Sequence, residues 1–228
     1  MEDLENLLNK GYTDALLHNL SALPHPTIQK FGLINIAIVG ASRRFLAQIT
    51  RHQNEVKFMS GSLQYSDYSS KAQFVVPYEM LNKSGEFTVH NPVVAGEMAK
   101  VNLACIDAYL GHCKRSLQAY EELAKVIGRD AAGYAMPQGM RNILIISATP
   151  YQWKHMISQR VCRRNTLETR YVMLRCWEEL QNISALFDNC GAACMSDTCP
   201  EGAMCCGAPI LEGDSTDILD ADFKLLRQ

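Results

Sequence analysis

The chain has 228 residues, with 22 Lys+Arg against 24 Asp+Glu and a formal net charge of −2. Its 47% hydrophobic and 20% charged residues exclude a disordered, collagenous or coiled-coil chain. The near-zero charge argues against non-specific nucleic-acid binding, which needs a basic surface to displace counterions, but leaves room for a local basic pocket.

Taken in chain order, residues 12–20 read as a short helix, and Pro24 and Pro26 then break the chain around His25. The Ile-rich run 31–39 reads as a strand bounded by Gly40. Ser42 is a good N-cap for a helix through Phe45, Leu46 and Ile49. The serine-rich stretch 53–70, with Gly61, reads as a loop. Phe74-Val75-Val76 reads as a short strand ended by Pro77. Over 94–127 the residues Leu103, Ile106, Leu110, Cys113, Leu117 and Tyr120 alternate spacings of three and four, the stripe of a long helix that Gly128 closes. Ile143 to Ala148 reads as another strand. Pro150 suits the first turn of a helix running to about residue 187. The mixture predicts an α/β (α+β) fold, with a central sheet and long helices.

No stretch approaches the roughly 20 apolar residues needed to span a bilayer. The acidic start Met1-Glu2-Asp3-Leu4-Glu5 lacks the basic region of a signal peptide. The expectation is a soluble, cytoplasmic protein without a membrane partner. Its nine cysteines are then reduced, and an odd number cannot all pair within one chain.

Four groups of residues carry chemistry. On a helix, Arg44, Gln48, Arg51 and His52 share one face, where they grip an anion or polar heterocycle or merely answer the helix dipole. Ser60-Gly61-Ser62 offers hydroxyls and backbone N–H groups, either a phosphate nest or a plain polar turn. After Pro150, the residues Trp153, Ile157, Arg160, Arg164, Leu167 and Tyr171 form one stripe with two arginines in it. Glu168 can hold Arg164 from four residues on, whereas Arg160 has no local carboxylate. A guanidinium held in that way forks onto a carbonyl or phosphate; the alternative is a pair of structural ion pairs. Last, Cys190, Cys194, Cys199, Cys205 and Cys206 lack zinc-ribbon spacing, which favours free thiols over a metal, and no metal site is expected.

Together these segments resemble the flavin-dependent thymidylate synthases. That family carries Ser-Arg, then Gln-x-x-Arg-His-Arg, then Ser-x-Arg-Tyr-Ser. This chain has Ser42-Arg43, then Gln48-Ile49-Thr50-Arg51-His52-Gln53, then Ser62-Leu63-Gln64-Tyr65-Ser66. The family's upstream His-x-Ser/Thr appears as His25-Pro26-Thr27. Its Leu-Pro, essential arginine and Ala-Gln-x-Glu-Ile-Arg appear as Met136-Pro137, Arg160 and Asn165-Thr166-Leu167-Glu168-Thr169-Arg170. The departures are Gln53 and Gln64 in place of arginines, Ser60 in place of a glutamate, and Gly133 where an arginine helps hold the nucleotide phosphate. Lys57 or Arg141 are the candidates to replace that last charge.

The resemblance spans roughly residues 20–185. It implies a domain over 1–187 followed by a Cys-rich extension over 188–228, and a homotetramer with FAD between subunits. It also implies reductive methylation of dUMP to dTMP, with NADPH as reductant and methylenetetrahydrofolate as one-carbon donor. The altered arginines leave open another pyrimidine nucleotide, UMP or dCMP, with methyl or hydroxymethyl transfer, or a non-catalytic flavin- or nucleotide-binding homologue. Carried over, Arg160, Arg51 and Ser62 are the implied catalytic residues. Gln48, Ser60, Gly61, Ser62, Gln64 and Tyr65 join Arg51 and Arg160 around the nucleotide. His25, Thr27, Arg51, His52, Gln53, Asn54, Thr149, His155 and Gln159 fall where the family contacts its flavin.

Overall fold

The computed structural model describes residues 6, 11, 13–23, 26–69, 72–80, 86–88, 98–100, 104–196 and 198–226. His25 and Leu103 therefore lie outside the described residues. Thr13 caps α1 (Asp14–Ala22) by accepting a hydrogen bond from the Leu16 N–H at 3.3 Å. A short 3-10 helix, Pro26–Lys30, follows.

Strand β1 runs Ile34–Ser42, starting later than expected and passing through Gly40 instead of stopping there. Gly40 has φ +101° and sits at a bulge between Val39 and Ala41. A Cβ on Gly40 would lie 2.5 Å from an Arg141 guanidinium nitrogen, so the missing side chain lets Arg141 lie across the strand. Ser42 ends β1 and caps α2 (Arg43–Ile49), accepting from the Phe45 N–H at 3.1 Å.

The stretch read as a loop contains β2 (Lys57–Ser60), whose four residues are too few and too exposed to show a hydrophobic pattern. Two short strands, β3 (Glu86–Thr88) and β4 (Met98–Lys100), pair antiparallel. The helix expected over 94–127 is α3, Ala104–Ile127, because 98–100 is taken by β4. Cys113 and Tyr120 of its stripe are buried, whereas Leu110 is exposed. After Gly128 comes the single turn α4 (Arg129–Ala132). Phe74 forms one bridge to Met140 and no strand. The Val75 carbonyl instead accepts from the Tyr109 hydroxyl at 2.7 Å, so that backbone is tied to α3.

Strand β5 (Arg141–Ala148) is the centre of the main sheet, with antiparallel order β1-β5-β2. The long helix expected after Pro150 is two helices. Thr149 caps α5 (Pro150–Arg160), with Pro150 in its first turn. Thr166 caps α6 (Leu167–Ile183). Between them the Asn165 amide donates to the carbonyls of Gln159 at 2.8 Å and Cys162 at 3.3 Å. These bonds compete with helical ones and explain the break. Arg164 consequently lies on neither helix, and the expected four-residue pairing with Glu168 does not exist.

The main core joins the sheet to α2, α5 and α6, and a second, smaller cluster of Tyr120, Ala132, Met136 and Met140 packs beside α3. Phe45 and Ile49 of α2 meet Leu144 and Ile146 of β5, Trp153 and Ile157 of α5, and Trp177 and Leu180 of α6. The segment 188–228 enters the same core through Cys194, Ile210, Ile218, Leu219 and Phe223. Its helix α7 (Ser215–Asp222) is capped by Asp214. Among the described residues, no helix is long and apolar enough to cross a membrane. No group of three His, Cys, Asp or Glu side chains among them is placed to hold a metal ion.

Candidate active site

The implied site residues fall into two groups. The first gathers where α5 ends. The Arg160 Nε–H donates to His52 Nε2 at 2.8 Å, and its Nη2 donates to the Gln48 carbonyl at 2.9 Å. Its Nη1 reaches Asn165 Oδ1 at 3.3 Å. A guanidinium has five N–H donors, so two remain without a partner among the described residues. No described carboxylate pairs with Arg160 or with Arg51. Burial and the neighbouring Arg51 charge both push the Arg160 guanidinium below its ordinary range. Two close cations without a counter-charge make a site for an anion or an electron-rich carbonyl.

His52 is 9% exposed. Burial, then the charge of Arg160, then His155 lower its pKa to about 4, so the imidazole is neutral near pH 7. The Arg160 Nε is always a donor, so His52 Nε2 is the acceptor and the ring proton sits on Nδ1. The exposed His155 ring meets His52 edge-on at 5.7 Å. Gln48 is fixed by α6: its Oε1 accepts from the hydroxyls of Thr169 at 2.6 Å and Thr166 at 3.3 Å.

The expected single helix face of Arg44, Gln48, Arg51 and His52 does not form, because α2 ends at Ile49. Past that end His52 turns inward while Arg51, Gln53 and Asn54 stay exposed. Arg44 lies instead beside Ser42, Tyr109 and Glu168 around a separate cavity. Glu168 is not the partner of Arg164. It accepts from the Ser42 backbone N–H at 2.7 Å and the Ser42 hydroxyl at 2.5 Å. Arg164 instead faces Glu201 at 3.5 Å and donates to the Met204 carbonyl at 2.7 Å. Thr149 is buried and spends its hydroxyl on capping α5. Gln159 is exposed.

Two concavities flank this group. A cavity of about 790 Å³ is lined by Gln159, Arg160 and Asn165 on one side and Cys194, Cys199 and Pro209 on the other. A groove of about 1030 Å³ runs past His155 and Lys154 to Pro26 and Gln29, the helical turn that carries the exposed Thr27. Both volumes suit a nucleotide-sized ligand.

The second group lies at the far end of β2. Ser60 ends the strand, and the Gly61 N–H donates to the Ile143 carbonyl at 3.1 Å. The Ser62 hydroxyl accepts from the Gln64 N–H at 3.0 Å, and Tyr65 is 81% exposed. Beside this turn a depression of about 300 Å³ is lined by Gly61, Tyr68, Gln73, Arg141 and Asn142. Arg141 is held by the Gln73 side chain and pairs with no described carboxylate. Gly133 is buried against Leu63. Lys57 and Ser60 bracket β2, which lies between the two groups in the chain, and neither cavity beside Arg160 and His155 is lined by a residue of the Ser60–Tyr65 turn. No described hydrogen bond or cavity joins Ser60–Tyr65 to Arg160 within one chain.

Sequence reading passed over Asn165, Thr166 and Thr169 as supports of Arg160 and Gln48. The one signal was the Asn165-Thr166 pair, a capping pattern inside an apparent helix.

The family described as thymidylate synthase complementing protein matches residues 1–184. A flavin-dependent thymidylate synthase of Geobacter sulfurreducens is 22% identical over 213 residues, covering 91% of this chain and 82% of its own. One from Thermococcus onnurineus is 24% identical over 203 residues, covering 85% of this chain and 76% of its own. Among solved structures, a UMP/dUMP methylase from Streptomyces cacaoi, bound with 5-Br dUMP, superposes with a TM-score of 0.65. It is 15% identical and the match covers 80% of this chain and 81% of that one, a likeness of fold.

Proposed function

This chain belongs to the thymidylate synthase complementing protein family, and on that footing we propose that it is a flavin-dependent methyltransferase converting dUMP to dTMP. The observation that carries this reading is Arg160, half-buried, free of any described carboxylate and braced on neutral His52. Its two spare N–H groups suit the carbonyl edge of a pyrimidine ring. They would stabilise negative charge growing on the ring as C5 becomes the nucleophile.

The residues around His52 fit a flavin. Arg51 supplies positive charge without a described carboxylate for a pyrophosphate, His155 meets His52, and Gln53, Asn54 and Gln159 are exposed polar neighbours of His52 and Arg160 in the chain. The His52 Nδ1–H adds a neutral donor for a polar ring edge. When bound, FAD supplies the hydride chemistry, with NADPH as reductant and methylenetetrahydrofolate as one-carbon source. The Thr149 hydroxyl accepts the cap bond that starts α5, which leaves its O–H as a donor.

The two groups of site residues are apart in one chain, and a shared site between subunits brings them together. In that reading the Ser60–Gln64 turn of one protomer faces Arg160 of another, as in the homotetramer the family resemblance implies. Arg141, next to Gly61, then supplies the charge for the nucleotide phosphate in place of the arginine replaced by Gly133.

The test is the visible spectrum of the purified protein, followed by tritium release from C5-labelled dUMP with methylenetetrahydrofolate and NADPH. A flavin spectrum and release from dUMP support the reading. Release from UMP or dCMP alone moves the activity to that nucleotide. A colourless protein that takes up no FAD makes it a non-catalytic homologue.

A further inference from the structure

The turn 161–166, which separates α5 from α6, carries Arg160 at its entrance and Asn165 and Thr166 at its exit. These residues set the position of the Arg160 guanidinium and of the Gln48 side chain. The turn is held from inside by the Asn165 amide and from outside by 188–228.

Asp222, at the C-terminal end of α7, grips two arginines at once. Its Oδ1 accepts from Arg163 Nη2 at 3.1 Å, and its Oδ2 accepts from Arg163 Nε at 3.3 Å and from Arg170 Nη2. Arg170 is 1% exposed, and its Nε also donates to the Val161 carbonyl at 3.1 Å, the first residue of the turn. Its guanidinium lies 5.3 Å over the Phe223 ring, which Tyr78 and Tyr171 flank at 5.2 and 5.5 Å. Arg163 donates in addition to the Ala208 carbonyl at 2.9 Å. Burial alone would raise the Asp222 carboxyl, but Arg170 and Arg163 hold it below its usual range.

The contacts of Arg163 and Arg164 in this turn thus come from a segment beyond residue 184, where the family match ends, while α6 holds Val161 through Arg170. We propose that Asp222 is a positioning residue for the active site: by clamping Arg163 and Arg170 it fixes the 161–166 turn and so sets Arg160 against His52. The catalytic importance of this clamp rests on the function proposed for Arg160, but the clamp itself is measurable without any substrate. Removing the carboxylate leaves Arg170 buried with no counter-charge, so the turn has to move to hydrate it.

The experiment is an NMR titration of His52 in the full chain, with its signal identified by loss in His52→Gln. In the unaltered protein burial, then the charge of Arg160 set against it, lower the His52 pKa to about 4. In Asp222→Asn the expected result is a rise toward the free-imidazole value near 6.5, with Asp222→Glu restoring the low value. The dUMP dissociation constant is expected to rise about tenfold in Asp222→Asn while FAD uptake stays unchanged. A folded Asp222→Asn protein in which His52 still titrates near 4 overturns the proposal. If Asp222→Asn does not fold, Arg163→Gln releases one arm of the clamp while keeping buried Arg170 paired with Asp222, and a smaller rise of the His52 value is expected; an unmoved His52 there overturns the proposal equally. A protein that binds neither FAD nor dUMP, yet shows the His52 shift, refutes the proposed function and leaves the clamp standing.

Discussion

Arg160 and His52 come from segments 108 residues apart, and one hydrogen bond of 2.8 Å joins them. Burial, then the charge of Arg160, keeps His52 neutral; the bond places its proton on Nδ1 and leaves Arg160 with two N–H donors to offer. A neutral imidazole supports a cation without cancelling its charge, which a carboxylate in the same place would do.

Arg160→Ala is therefore expected to abolish turnover, a loss of at least about 100-fold in kcat/KM, while FAD stays bound. Arg160→Lys keeps the charge but loses the planar fork, and it should recover little activity. Steady-state kinetics and the flavin spectrum check both, and full activity in the alanine variant would refute the role given to Arg160.

His52 also makes stability depend on pH. Its folded pKa of about 4 lies below the ordinary value of 6.5, so the unfolded chain binds a proton more readily between those values. The stabilisation is complete above pH 6.5 and is lost as the pH falls toward 4. Thermal melts over that range should show the fall, and His52→Gln should flatten it.

Arg141 tests the second half of the site. Arg141→Ala is expected to weaken dUMP binding about tenfold or more and to leave binding of the uncharged nucleoside unchanged. Calorimetric titration with the two ligands separates the cases. Equal losses for both would place Arg141 elsewhere than at the phosphate.

Ser42 connects the front of α2 to the start of α6 by capping one and donating twice to Glu168 of the other. Ser42→Ala removes the cap and one of the two donors to that carboxylate, a cost of about 1–3 kcal/mol. The melting temperature should fall by roughly 2–10 °C. A variant that melts like the original protein would show that Glu168 finds other donors.

The cysteines should differ in reactivity. Bonds from the Gly207 N–H and the Cys199 thiol favour the Cys205 thiolate and lower its pKa, whereas burial pushes Cys176 and Cys190 up to about 12. Limited alkylation at neutral pH, read by mass spectrometry, should label Cys205 ahead of Cys176 and Cys190. Equal labelling of Cys176 in the folded protein would contradict its burial.

By itself the sequence determined the local signals: Ser42 as a cap, Pro150 opening a helix, the α3 stripe, the strand of β5 and the motif-bearing Arg51, His52 and Arg160. Each depends on residues within a turn or two, where spacing and capping chemistry act directly. It was silent on β2, whose four residues carry no pattern and are defined only by pairing with β5. It also misread the long helix after Pro150, because the break at 161–166 is held by Asn165 and by Asp222, more than 50 residues away. The partners of Arg160, Arg164 and Glu168 were decided by tertiary structure alone. Charges find their partners through space, and the two arginines that looked alike in one stripe part ways once the helix between them ends.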